Sequence, residues 1–187
     1  LFNEWHAANT SKKVRSVMAA NSRQGKYLAA SAAYGYIKAD DEKHTPIIDE
    51  EAAVIVRRIF EQRARGLSPK QIAKQLNKDG VPIPSDHRYQ LKGKENPLVT
   101  SHLWNDCMVR GILNNEIYIG NLAQQRVTTV SYKNHKQIRK DRSEWIIVEN
   151  THEPIISREL WDKVREVEAS VSIGKMTKEG VIRPLSG

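Results

Sequence analysis

Two groups of residues in this 187-residue chain could do chemistry, and for both the chemistry is recognition of an anion. Lys12, Arg15 and Arg23 stand at i, i+3 and i+11, close to whole helical turns, so a helix would present them along one side. Lys13 and Lys26 lie in the same stretch, and no acid occurs between Glu4 and Asp40. The second group is the run from Lys133 to Arg142, which carries Lys133, Lys136, Arg139, Lys140 and Arg142. Lys and Arg segregated in this way suit a phosphate-tracking surface, because each neutralised phosphate releases counterions. One such run is ordinarily a solvated face; two excesses separated by a nearly neutral centre fit that account less well. Between the two groups, Asn105, Asp106, Arg110 and Asn114 are the polar positions of a short helical segment. Arginine donates two parallel hydrogen bonds to guanine and asparagine exchanges two with adenine, so Arg110 and Asn105 are the base-reading candidates if that segment meets a duplex.

Bond-making chemistry finds no constellation. His6, His44, His87, His102, His135 and His152 are scattered, without the i, i+4 pairing or cysteine partners of common metal sites. Asp86-His87 faintly resembles the start of a metal-dependent nuclease motif but lacks its supporting pattern. There is no glycine-rich phosphate loop and no Gly-x-Ser-x-Gly elbow. Cys107 is alone, which excludes an internal disulfide and a multi-cysteine zinc site and fits a reducing compartment. The expectation is therefore no catalytic residue, no metal and no cofactor in this chain.

Composition agrees with a polyanionic partner. Lys and Arg number 30 against 22 Asp and Glu, a net +8. Residues 1–40 hold six basic and two acidic residues and residues 91–142 nine and four, whereas residues 41–90 hold nine and eight and residues 143–187 six and eight. Two stretches thus carry the whole excess. No apolar run is long enough to cross a bilayer, and the start lacks the order of a signal peptide, so no membrane partner and a cytoplasmic location are expected.

The elements that must position these residues read as follows. Residues 4–24 form a helix that Gly25 stops, too polar to bury a full face and with little reason to stay folded alone. Tyr34-Gly35-Tyr36-Ile37 is extended. A helix follows Asp49, with Glu50 and Glu51 at its positive end and Ala52, Ile55, Val56 and Ile59 inward. Ser68, Pro69 and Gln71 spell a capping box for a short helix that Gly80 ends. Residues 85–100 read as a polar loop. Asn105 caps a third helix with Val109, Ile112 and Leu113 inward. Residues 122–132 and 144–149 are strand material, with the basic run between them as a hairpin arm or mobile loop. Ser157 caps a last helix through Ala169, and residues 171–187 read as an extended tail. By spacing alone, the helices at 69–78 and 105–114 fit either a helix-turn-helix unit, the second helix lying in the major groove, or two packing helices of another small domain.

In order, these segments resemble one family. Tyr34-Gly35-Tyr36, then residues 47–52, the Arg57-Arg58-Ile59-Phe60 helix and residues 66–82 are similar to the recombinase domain of large serine recombinases. Trp104, Val109, Ile112, Leu113, Asn115, Tyr118 and Gly120 match its downstream pattern, and residues 149–156 with the Trp161 helix match its closing segment. Ala33, Glu116 and Met108 depart from the usual residues. The resemblance spans essentially the whole chain.

The resemblance implies an α+β, mostly α fold: a long N-terminal helix followed by a helix-turn-helix-like recombinase domain with a small antiparallel sheet. It implies that residues 1–25 are the distal part of a helix arriving from a catalytic domain, residues 26–170 the DNA-binding domain, and residues 171–187 a linker toward a zinc ribbon. Lys12, Arg15 and Arg23 become phosphate or minor-groove contacts. The implied partner is double-stranded DNA at an attachment or transposon-end site, bound by a parent protein that is a homodimer or tetramer there, and the implied cytoplasmic location is nucleoid-associated. The parent enzyme would cut and rejoin DNA through a phosphoserine linkage, its nucleophilic serine lying outside this chain. A helix-turn-helix transcription regulator and a metal-dependent nuclease using His87 are the alternatives.

Overall fold

Local signals set most elements of the computed structural model, which describes residues 2–130, 134 and 136–179. Helix α1, Phe2–Arg23, contains no Gly or Pro, and Gly25 turns the chain out of it at φ 73°, a left-handed conformation without Cβ cost for glycine. Strands β1, Tyr36–Lys38, and β2, Pro46–Ile48, pair antiparallel with Tyr36 opposite Ile48. Their connection is closed by Asp41, whose carboxylate accepts from the Thr45 backbone N–H at 2.8 Å and from its hydroxyl at 2.6 Å. Helix α2, Glu50–Ala64, opens on Glu50 and Glu51, which suit the positive end of the helix dipole.

The expected capping box at α3, Pro69–Lys78, is present. Ser68 Oγ accepts from the Gln71 N–H, and Gln71 Oε1 accepts from the Ser68 N–H at 2.9 Å. Helix α5, Asp106–Leu113, has Asn105 at its N-cap, its Oδ1 accepting from the Met108 N–H at 2.9 Å. A 3₁₀ turn at Glu116–Ile119 ends on Gly120, and the last helix, α6, spans Arg158–Glu179 behind Ser157, whose Oγ accepts from the Leu160 N–H.

Three segments differ from the sequence reading. Residues 85–100 are not loop throughout: helix α4, Pro84–Gln90, opens there with Pro84 in its first turn, where its missing N–H costs nothing. The strand material after Leu122 divides into β3, Leu122–Gln124, and β4, Val127–Thr129, because Gln125 adopts φ 57° between them. β3 pairs antiparallel with β6, Ile146–Val148, while β4 pairs antiparallel with β5, Gln137–Arg139, inside the basic run. The tail expected to be extended continues α6 to Glu179; no proline interrupts that stretch, and Gly174 weakens a helix without stopping it.

The chain forms two units, one of Leu1–Ala53 with Asn115–Ile155 and one of Val54–Asn114 with Ile156–Gly187. Among the described residues every strand belongs to the first unit, and the second is helical. This is the expected mostly helical α+β class, with the strands divided among three two-stranded antiparallel sheets.

The second unit is built on Val56, Ile59, Phe60, Ile72, Leu76, Val109, Leu113 and Val164, all fully buried. Its α3 packs on α5. Asn77 fixes the approach to α5: its Oδ1 accepts from the Trp104 N–H at 2.7 Å and its Nδ2 donates to the Trp104 carbonyl at 3.0 Å. The Trp104 indole N–H donates to the Val81 carbonyl at 3.0 Å, which ties the far end of α3 to the same residue.

The first unit buries an aromatic cluster. Tyr36 and Tyr118 stack with ring centroids 6.1 Å apart, and His152 meets Tyr36 edge-on at 5.0 Å. Tyr36 donates to the carbonyls of Ile117 or Glu153, and Tyr118 to that of Tyr34. His152 Nε2 lies 2.7 Å from the Ile117 carbonyl and Nδ1 2.8 Å from Thr151 Oγ1, so the neutral imidazole donates through Nε2. Burial holds its pKa below the ordinary imidazole value, against the opposing pull of the Ile117 carbonyl. The unfolded chain therefore binds this proton more readily than the native one. The contribution of His152 to stability is present above the unfolded imidazole pKa of about 6.5 and is lost as pH falls from there through the lower, folded value. Melting temperatures between pH 8 and pH 5 should fall less for His152→Gln than for the wild type; identical pH slopes would show that His152 does not carry the effect.

Candidate nucleic-acid interface

In the first unit, α1 presents Lys12, Lys13, Arg15 and Arg23 exposed, with Lys26 partly buried just beyond Gly25. The backbone of Lys26 is fixed rather than free: its carbonyl accepts from Gln124 Nε2 at 2.8 Å. Arg15 reaches across to the β4–β5 hairpin, its Nη2 donating to Thr129 Oγ1 at 3.1 Å. Between α1 and this hairpin runs a groove of about 490 Å³, and Arg15, Arg23 and Lys140 all line it. Gln125, Thr129 and Gln137 add polar lining, and among the described residues Glu144 is the one acid there. The two basic stretches, more than a hundred residues apart in sequence, thus meet in one concave surface.

The remaining residues of the basic run separate. Lys136 is exposed, its N–H donating to Asn134 Oδ1 at 3.0 Å. Lys133 lies outside the described residues. Arg139 and Arg142 turn to Trp145, their guanidinium carbons 5.8 and 5.7 Å from its ring centroid, and Arg142 also pairs with Glu116 at 2.5 Å. Arg126 joins them at 5.2 Å. Sequence reasoning missed Arg126 and Trp145, and no local pattern marks either, because the cluster is made by residues brought together in space.

In the second unit, Asn105, Asp106, Arg110 and Asn114 all fall on or beside α5, but their side chains are not equally available. Asn105 Oδ1 is occupied as the helix N-cap. Asn114 Oδ1 accepts from Arg165 Nη1 at 2.7 Å, while Arg165 Nη2 donates to the Leu113 carbonyl at 2.5 Å. Arg165 therefore caps the C-terminal end of α5, a role visible only in the structure. Asp106 pairs with Arg110 one turn on, at 3.5 Å, both largely exposed. The solvent face of α5 is Cys107, Arg110 and Gly111, opposite the buried Val109, Ile112 and Leu113.

The Asp86-His87 pair belongs to a different arrangement. Asp86 accepts from Asn96 Nδ2 at 2.8 Å and lies 2.7 Å from His102 Nδ1, which ties α4 to the segment leading into α5. Among the described residues no three His, Cys, Asp or Glu side chains are grouped so as to hold a metal ion. Nor is any helix there long and apolar enough to cross a membrane.

A family model described as Recombinase matches residues 49–169, more than half of the chain. Two solved structures share the fold. A chain from a crystal structure of an LSR–DNA complex superposes with a TM-score of 0.54 at 20% sequence identity, over 84% of this chain and 38% of its own length. A chain from work on the sequence requirements of the Listeria innocua prophage attP site superposes with a TM-score of 0.52 at 22% identity, over 83% of this chain and 51% of its own. This chain spans about half or less of the length of these two.

Proposed function

We infer the function from the premise that the chain belongs to the Recombinase family, the central domain of the large serine recombinases. In this reading it binds double-stranded DNA during site-specific recombination, at the attachment or end sites of a mobile element that the parent enzyme integrates, excises or transposes. The parent protein acts there as a homodimer or tetramer. Strand cleavage belongs to the parent's catalytic domain, and the part played by this chain is to hold and register the duplex.

The observation that carries the reading is the groove between α1 and the β4–β5 hairpin, where, among the described residues, Arg15, Arg23 and Lys140 stand against one acid, Glu144. A duplex backbone is a polyanion, and such a groove attracts it through counterion release. The solved chains that share the fold come from an LSR–DNA complex and from a study of an attP site, which agrees with this reading.

The test is duplex binding by fluorescence anisotropy across a series of salt concentrations. Binding should weaken steeply with salt, and Arg15→Ala should reduce the log–log slope by about one on every sequence, since it removes one phosphate contact. Failure to retain duplex, or retention indifferent to salt, would overturn the reading.

A further inference from the structure

Beside the groove, and unused by it, the first unit carries a cationic platform on Trp145. Arg126, Arg139 and Arg142 all lie within 5.2 to 5.8 Å of its ring centroid. The ring is itself held, the indole N–H donating to the Lys140 carbonyl at 3.0 Å. Arg126 is fixed too: its Nε donates to the Ala123 carbonyl at 2.8 Å and its Nη2 to Asn115 Oδ1 at 3.0 Å.

Guanidinium groups keep their charge in proteins, so this crowding is repulsive. Burial lowers the pKa of Arg126, the charges of Arg139 and Arg142 lower it further, and Glu116 opposes them. Among the described residues Glu116 is the one carboxylate paired with the three, at 2.5 Å from Arg142 and itself only 7% exposed. Asp141 and Glu144, which flank Arg142 in sequence, are exposed and pair with none of the three. Three guanidiniums against one paired carboxylate leave two of these positive charges without an ion pair among the described residues. A guanidinium held against an aromatic ring still presents N–H groups to a tetrahedral anion, and Arg139 and Arg142 are both exposed.

We propose that this platform is a second phosphodiester-binding site, in which Trp145 holds the arginines in place and Glu116 competes with the phosphate for Arg142. The proposal rests on the duplex-binding reading and deepens it. It assigns two residues that carry no positive charge to the interface, one supporting binding and one restraining it.

The sign of the Glu116 effect separates this from a merely structural cluster. Labelled duplex of mixed sequence would be titrated with the wild type, Arg139→Gln, Trp145→Leu and Glu116→Gln at several salt concentrations, each variant being melted in parallel. Arg139→Gln should weaken binding several-fold and lower the salt slope by about one. Trp145→Leu should weaken it at least as much, because it removes the ring against Arg139 and Arg142, the two exposed arginines. Glu116→Gln, which keeps the side chain's shape, should strengthen binding and steepen the slope by about one, even though it removes an ion pair. If Trp145→Leu does not fold, the other two variants carry the test. Wild-type affinity and slope in Arg139→Gln and Glu116→Gln, with Arg15→Ala still weakened, would overturn the platform alone. Absence of duplex binding by the wild type would overturn the function itself.

Discussion

Gly120→Ala is expected to destabilise the first unit by about 3 kcal/mol, enough to lower the melting temperature by roughly 10 °C in a chain of this size. Two costs combine. Gly120 sits at φ 84°, where an L-residue pays about 1–2 kcal/mol for its Cβ. A Cβ there would also stand 2.9 Å from the His152 carbonyl oxygen, a backbone atom that cannot swing aside; such overpacking typically costs about 1–3 kcal/mol. The approach is close because the two segments are tied at this point, the Gly120 carbonyl accepting from the Thr151 N–H at 2.9 Å and the Thr151 hydroxyl lying 3.1 Å away. Gly80→Ala makes the control. It has a similar φ of 67° but open space around its Cβ, so it should show only the conformational part. Equal losses for the two variants would show that the contact with His152 contributes nothing.

What could be read from the sequence was local. Ser68, Pro69 and Gln71 lie within four positions, and their capping box needs no tertiary partner, so the start of α3 was legible. The N-cap role of Asn105 was equally plain. The same residue is also a base-reading candidate by its type, and the structure shows that these are competing uses of one oxygen. Helix α4 was not legible because its residues read as polar loop, and a proline that forbids the interior of a helix also favours its first turn, so only context marks Pro84 as a start. The division of β3 from β4 depended on one residue, Gln125, in a left-handed conformation that no composition rule assigns to glutamine.

The site was legible as charge and illegible as geometry. The two basic stretches were visible as counts, but their convergence depends on contacts such as Arg15 to Thr129, 114 positions apart. The fate of Asn114 depends on Arg165, 51 positions later. The basic residues of the run looked alike in sequence. The structure divides them by what each meets: Lys140 lines the groove, while Arg139 and Arg142 lie against Trp145.

The second large effect is expected in sequence preference. In the duplex-binding reading α5 is the reading helix, and Arg110→Ala should reduce discrimination between a cognate site and its point-mutated versions by roughly 10- to 100-fold, the worth of one bidentate contact to guanine. Arg110 stands out because the other polar positions of α5 are committed. Asn105 Oδ1 holds the first turn and Asn114 Oδ1 is held by Arg165, so neither can both accept from and donate to an adenine without giving up a bond the helix uses. Arg110 gives up only its exposed pairing with Asp106 at 3.5 Å, a contact of a kind that contributes about 0.3–0.5 kcal/mol. It shares the solvent face of α5 with Gly111, where a Cβ would meet nothing within 4 Å, so that face is open to a close approach. Asn105→Ala should behave differently, lowering stability by about 1 kcal/mol through loss of the cap. Arg15→Ala should weaken binding to all sequences alike. The decisive measurement compares affinities of the three variants across a set of single-base variants of one site. Uniform loss for Arg110→Ala would remove α5 as the reading helix, while a loss confined to one base pair would identify the position that Arg110 reads.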